Sequence, residues 1–534
     1  MKLKPLRFGL MFDQHSIDKW QHKILKHVLS LKDVQLELII CRCRSPHCPI
    51  QREVSKIINL WNPSPMTIMK EEIADIKNFS LDFILYAGGQ KNVEDDMKDI
   101  AKYGIWTFKH QLEKKPFGIE FSYEKKQTKV EFIKLERNQS YRVLKNGVYP
   151  TMLHSYANHL EFITEEVAEW PSQVCRDILN HRAHYFDKNE KTIYMEKPRI
   201  GVIPTLQIYK SVAKNRVGKW FNMLFRYEYW NVGVIESPIH MLLNNKQPKI
   251  QWLIPKKDVY YADPFGYEDG NNNLKILIEE VDPRTVKGKL SEVSFRKEGG
   301  NFHSLQVEHS KFQREHHLSY PFLLHSEGKI YCIPEASEAN KVTIYQLNTV
   351  TGELENPRTI IDDFPAVDST FIHYNDTWWL FCTKASRNGA ENRELHIYYS
   401  DDLLKGWKPH ALNPVKIDVS SSRPAGTPFV YNKELYRPAQ DCSSTYGGSV
   451  VINKITSLTQ YSFKEESCTH IFPQKDSLYP DGFHTVSSMN GELMMVDGKR
   501  ISYHVSHLFK KFYKVRMIWA NSKKLKLGFL QKKL

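Results

Sequence analysis

Cysteine is scarce in this chain, with eight in 534 residues at irregular positions. Cys41, Cys43 and Cys48, with His47 beside them, form the one cluster, and no second spaced pair follows to complete a zinc site. No metal is therefore expected, and scattered thiols suit a reducing compartment. Long apolar runs are also missing: no stretch reaches the roughly 20 residues needed to cross a bilayer. The N-terminus, MKLKPLRFGLMFDQ, lacks the sustained apolar segment and small-residue cleavage site of a secretory signal. A cytoplasmic protein is expected. Acidic residues vanish from the end of the chain. Residues 501–534 hold nine Lys or Arg and no Asp or Glu, so most of the +14 net charge sits there. A basic face spread over the folded body is what nucleic-acid binding needs, and no nucleic-acid partner is expected.

What remains is an ordinary globular mixture, 41% hydrophobic and 25% charged, long enough for two to four domains. Residues 6–12 (LRFGLMF) read as a strand, 16–31 have helical apolar spacing, and 34–41 and 81–89 return to strands. This alternation predicts an α/β domain with a parallel sheet over residues 1–185. Antiparallel strands are expected within 118–150 and a helix over 153–181. Residues 186–245 read as a linker with a buttressing basic helix near 206–228, leading into a strand at 229–237.

From about 260 the sequence repeats weakly. The unit is a small or acidic residue, an aromatic-led strand, a turn, then a second strand. It reads ADPFGYEDGNNNLKILIEE, SYPFLLHSEGKIYCIPE, VDSTFIHYNDTWWLFCTK, AGTPFVYNKELYRPAQD and FHTVSSMNGELMMVD. Phe265, Phe322, Phe371, Phe429 and Val486 mark equivalent positions, each interval holding two further strand-like runs. Helical patterning is nearly absent between 260 and 500. Four strands per unit, five times, predicts an all-β five-bladed propeller over 246–503.

In a propeller the ends of the innermost strands meet at one funnel. Asp263, Ser319, Asp368, Arg423 and His484 begin the first strands here. Glu279, Glu280, Glu335, Lys384, Asp441 and Asp497 end the second strands. Carboxylates gathered at one axis accept hydrogen bonds from sugar hydroxyls, and a pair can divide acid and base roles in glycosyl transfer. Asp263, Asp368 and Glu335 are the catalytic candidates, and Arg423, Lys384, Asp441 and His484 the substrate-binding ones. No cofactor is called for. An isolated acid beside a strand turn is more often solvated or holding backbone amides, so the weight lies on recurrence at one repeat position.

The motifs YYADPF, HHLSYPF, IPEAS, PAVDSTF, LNPV, RPAG, YRPAQDCSSTYG and the closing VDGKR resemble the N-terminal domain family of glucosamine inositolphosphorylceramide transferases, which also occurs in bacterial proteins. The architecture is similar to five-bladed glycoside hydrolases and furanosidases. That resemblance implies a base in the Asp-Pro motif of the first blade, matching Asp263, and a modulating Asp in a later blade, matching Asp368. Where such hydrolases carry an acid Glu in the fourth blade, this chain reads SRPAG, which departs from simple hydrolysis. Residues 1–185 resemble a degenerate formyltransferase domain. Its motif wants Asn and His two residues apart and a downstream Asp, whereas this chain offers Thr107, Lys109 and a displaced His110, then Gln139.

Residues 504–534 predict a basic amphipathic helix, either packed on the propeller or lying on an anionic membrane surface. The leading expectation is a carbohydrate-active enzyme of surface polysaccharide or glycoconjugate synthesis. Its substrate would be a glycan, a nucleotide-sugar or a lipid-linked sugar, and it would work at the inner face of a membrane. A non-catalytic glycan-binding module and a folate-dependent sugar N-formyltransferase are the alternatives.

Overall fold

The structure, a computed structural model, describes residues 4–13, 19–41, 66–68, 76–88, 93–112, 116–186, 193–194, 205–244, 248–254, 259–269, 273–281, 287–298, 301–309, 312, 314–386, 388–509 and 511. The Cys43–His47–Cys48 cluster and the expected tail helix beyond 511 lie outside them. The chain divides into two compact units, Met1–Arg216 and Val217–Leu534.

The first unit is built on an eight-stranded sheet. In spatial order its strands are Met66–Ile68, Val34–Cys41, Leu6–Phe12, Phe83–Tyr86, Ile105–Phe108, Gln127–Glu136, Ser140–Pro150 and Ile193–Tyr194. The first five run parallel and the rest are antiparallel. The expected parallel sheet is thus mixed. Only a short turn joins Glu136 to Ser140, with Asn138 and Gln139 both at positive φ, and so tight a connection reverses the chain instead of crossing over. Leu6–Phe12 is buried on both faces, as a central parallel strand must be. The helix Lys19–Leu29 covers the sheet with Ile24, Leu25 and Val28. The single helix expected over 153–181 is two, Tyr156–Val167 and Trp170–Leu179. Pro171, lacking an N–H, sits at the start of the second, where none is needed.

The second unit is a ring of five antiparallel sheets. The first blade comprises Tyr260–Glu268, Leu274–Val281, Gly288–Glu298 and Asn301–His309. The second is Ser319–Ser326, Lys329–Glu335, Lys341–Leu347 and Leu354–Asp362. The third runs from Ala366–Tyr374 through Thr377–Lys384 and Glu394–Ser400 to Lys408–Pro409, and the fourth from Phe429–Tyr431 through Glu434–Asp441 and Ser449–Leu458 to Phe463–Ile471. The fifth has the order Gln251–Trp252, Arg226–Ile235, Leu493–Tyr503, Val486–Met489. Two of its strands, Arg226–Ile235 and Gln251–Trp252, therefore come from upstream of the first blade, the former paired with Leu493–Tyr503 from Tyr503↔Arg226 to Met494↔Ile235. The strand expected to buttress the propeller is part of it, so the ring begins at 226 and not at 246. Pairing the two ends of the chain in one sheet leaves no open edge at the seam.

Apolar residues from neighbouring blades pack together around the ring. Phe265 lies 5.4 Å from Phe322, and Phe322 lies 6.0 Å from Phe371, edge on or tilted as aromatic quadrupoles prefer. Burying each such ring contributes on the order of 2 kcal/mol.

Candidate functional site

Three successive innermost strands break register at one place. The shifts fall between Ala262 and Phe265, Ser319 and Phe322, and Val367 and Thr370. Each time three steps on the inner strand face two on its partner, which is a β-bulge. Asp263, Tyr320 and Asp368 take the extra position with φ of 51°, 43° and 51°. Left-handed backbone is tolerable for Asp but uncommon for Tyr, and conformations this sparsely populated cost on the order of 1–3 kcal/mol. The bulge re-aims each side chain toward the axis. Ser319, read from sequence as the second-blade equivalent of Asp263, is displaced from that role by its neighbour, because Pro321 follows Tyr320 as Pro264 follows Asp263.

Tyr320 crosses the axis. Its N–H donates to Asp263 Oδ2 at 3.3 Å, while its hydroxyl pairs with Thr370 Oγ1 at 2.9 Å and accepts the Gly426 N–H at 2.7 Å. Its backbone N–H thus ties it to the first blade, and its fully buried phenol to the third and fourth. Gly426 has φ of 112°, and a Cβ there would lie 1.7 Å from Val486 O. Only glycine lets the fourth blade approach the fifth so closely.

The structure brings Asp263, Asp368, Glu335, Arg423 and His484 together, and all five are buried. Asp263 Oδ1 accepts the Thr485 hydroxyl at 2.8 Å and lies 3.7 Å from His484 Nε2. His484 Nδ1 sits 2.5 Å from Asp497 Oδ2. Asp497 also accepts the backbone N–H groups of His484 and Thr485, both at 3.0 Å, and of Asp263 at 3.2 Å. Burial opposes charge on His484, but Asp497 and Asp263 outweigh it and hold its pKa up.

Asp368 has different company. Arg423 Nε and Nη2 reach its two oxygens at 2.6 and 3.3 Å, and Gln440 Nε2 donates to Oδ2 at 2.9 Å. This is a two-pronged guanidinium–carboxylate pair in a buried setting. Arg423 occupies the SRPAG segment, so the fourth blade supplies a cation to this cluster. The Asp368 N–H donates to Glu335 Oε2 at 3.2 Å, and the Ser337 hydroxyl donates to Oε1 at 3.1 Å.

Burial and crowding spread the proton affinities. Burial raises Asp263 to about 6 against the pull of His484. Glu335 rises to about 8 through burial and then the charge of Asp368, opposed by Arg423. Glu279 is lifted well above the ordinary carboxylate range by burial and by the charges of Asp263, Glu335 and Asp368. Near neutrality the site therefore holds both ionised and protonated carboxyls.

Two sequence candidates lie elsewhere. Lys384 is exposed, with its ammonium 5.6 Å over the Phe364 ring. Asp441 accepts the Ser443 N–H at 2.9 Å and its hydroxyl at 2.5 Å, and His470 approaches at 3.5 Å, so it organises a turn. Residues that sequence reasoning missed include Trp230, stacked 4.2 Å from His484, and Tyr446, whose ring lies 4.9 Å from the Arg423 guanidinium. Tyr446 is 39% exposed, so an aromatic wall borders the buried carboxylates. Lys499 lies beneath Trp230 and donates to Thr445 Oγ1 at 3.2 Å. Burial lowers its pKa to about 8. YPF beside DPF was the available signal for Tyr320; Trp230 gave none, being in the segment read as linker.

Asp263, His484 and Asp497 also place ligand atoms within 4.8 Å of one another, the group among the described residues able to surround a cation. Among the described residues of the first unit no comparable cluster lies at its candidate. His110 is buried, 4.9 Å from the Phe117 ring, with Nδ1 unpartnered and its pKa lowered by burial to about 3. Lys109 pairs with Glu131 at 2.9 Å, and Gln139 is exposed in the hairpin turn.

Residues 254–478 match the family described as glucosamine inositolphosphorylceramide transferase 1, N-terminal. Over 209 residues the chain is 34% identical to glucosamine inositolphosphorylceramide transferase 1 of Oryza sativa subsp. japonica and 31% identical to that of Arabidopsis thaliana. These relatives are plant proteins. The matched stretch is 39% of this chain and 27% of each relative's length. Among solved structures, an exo-β-1,3-galactanase from Clostridium thermocellum is similar with a TM-score of 0.33 and 10% identity, covering 43% of this chain and 58% of that one. A GH43 β-xylosidase/α-arabinofuranosidase from a compost metagenome gives a TM-score of 0.32 and 12% identity, covering 46% and 92%.

Proposed function

We propose that the propeller is a carbohydrate-active domain that transfers or hydrolyses a glycosyl group in glycoconjugate or surface polysaccharide synthesis. One observation carries this reading: the buried carboxylate cluster holds an acid and a base at once. Glu335, at about 8, keeps its proton near neutrality and donates it to a departing glycosidic or phosphate oxygen. Asp263, at about 6, is largely ionised and takes the proton of the attacking hydroxyl. Asp368 is positioned by Arg423 and Gln440, with both oxygens engaged, so it acts on Glu335 through its charge and its N–H. Tyr446, 39% exposed, offers aromatic surface for the apolar side of a sugar. The similarity of residues 254–478 to proteins named as glucosamine transferases supports a sugar substrate, with a nucleotide-sugar or lipid-linked sugar as donor.

The test is turnover of a panel of nucleotide-sugars and lipid-linked glycans by the full chain and by Asp263→Asn and Glu335→Gln. Loss of turnover in both, with folding intact, supports the assignment; undiminished turnover in either removes that residue's role. The full engagement of Asp368 favours a second reading, a glycan-binding module without chemistry. Sugar binding that survives Asp263→Asn, with no turnover of any bound sugar, would select it.

A further inference from the structure

The helix Thr205–Phe225 contains Lys210, Lys214, Arg216 and Lys219 and no acidic residue. Within the second unit its last turns leave Val217, Trp220, Phe221 and Met223 between 50% and 70% exposed. Soluble surfaces seldom gather large apolar side chains so closely. Two more come from the far end of the chain: Val505 is 63% and Phe509 71% exposed.

The two segments are fastened together. A helix leaves its last four carbonyls unpaired, and here the C-terminal segment satisfies three of them. Phe225 O accepts the His504 N–H at 3.3 Å and pairs with His507 Nδ1 at 2.9 Å. Lys511 Nζ donates to Asn222 O at 3.1 Å and Met223 O at 2.8 Å. The Phe221 and Tyr503 rings stack at 5.7 Å. The apolar residues therefore form one composite patch, and residues 501–534, which follow from it, carry nine basic and no acidic side chains.

We infer that this patch docks on an anionic membrane surface, with Trp220, Phe221 and Phe509 entering the headgroup boundary and with Lys219 and the basic composition of the 501–534 sequence selecting anionic lipid. Apolar burial and cation attraction add in such binding, whereas a protein partner with an acidic face would need no insertion of aromatics. This inference is independent of the sugar chemistry.

The test is co-sedimentation of the full chain with vesicles of phosphatidylcholine alone or mixed with phosphatidylserine, at about 0.15 M salt. Binding to the mixed vesicles is expected, falling about tenfold in Trp220→Ser/Phe509→Ser, whose exposed positions leave the melting temperature unchanged. Wild-type failure to bind, or undiminished binding by the double variant, overturns the proposal. So does a light-scattering mass of two copies that reverts to one in the variant, which would assign the patch to self-association.

Discussion

The first and third blades present the same backbone at the axis: a one-residue bulge with an aspartate at φ of 51°. Their chemistry differs because the neighbours come from other blades. Asp263 meets His484 and Thr485 of the fifth blade, whereas Asp368 meets Arg423 and Gln440 of the fourth. A hydroxyl and a protonatable ring leave Asp263 able to exchange a proton. A two-pronged guanidinium and the Gln440 amide hold both oxygens of Asp368 in place. Repetition thus supplied two equal starting positions, and the adjoining blades gave them different partners.

Breaking each aspartate in turn separates these roles. Asp263→Asn is expected to lower turnover about a thousandfold while leaving the denaturation midpoint nearly unchanged, measured on any substrate the panel identifies. Arg423→Ala attacks the other site, stranding Asp368 as a buried charge; urea titration is expected to show a loss of about 3–5 kcal/mol. The double change Asp368→Asn/Arg423→Met should recover much of it, and failure to recover would mean that the pair is not the seat of the loss.

The proton affinities sharpen the comparison. Turnover is expected to rise with pH through about 6 as Asp263 ionises, and to fall through about 8 as Glu335 loses its proton. Glu335→Gln should slow the reaction and remove the alkaline limb. Stability gives a second reading of the same group. Glu335 binds its proton more tightly folded than unfolded, so its contribution is full below about 4.5 and is lost as pH rises to about 8. The variant's melting temperature should decline less than the wild type's across that interval. The smallest effect concerns the strut beneath both aspartates. Tyr320→Phe leaves the buried Gly426 N–H without its partner and removes the bond to Thr370, and is expected to cost about 1–3 kcal/mol in the same titration.

The blades were legible because each repeats a turn and an aromatic-led strand; Asp263 and Asp368 stood out as candidates because repetition aligns them, and Glu335 because it ends an otherwise apolar strand. The bulges were not, since an extra residue in one strand leaves no mark on alternation. This is why Ser319 was read in place of Tyr320. The Arg423 clamp joins side chains 55 positions apart, a pairing that no local pattern encodes. Trp230 and Lys499 escaped notice for a related reason, since their sheet is assembled from both ends of the propeller sequence. The first unit was legible as strands and helices, with antiparallel strands expected within 118–150, but no local pattern marked that Gln127–Glu136 pairs antiparallel with Ile105–Phe108 in the same sheet.

That two-ended sheet governs how the molecule can be cut. An excised fragment beginning at residue 246 would lack Arg226–Ile235 and leave the 11-residue strand Leu493–Tyr503 with one bare edge. Bare edges of that length recruit strands from other molecules, so the fragment should aggregate where one beginning ahead of 226 stays monomeric. The clasp also holds Trp230 against His484, so opening it would disturb the buried carboxylate cluster from a distance.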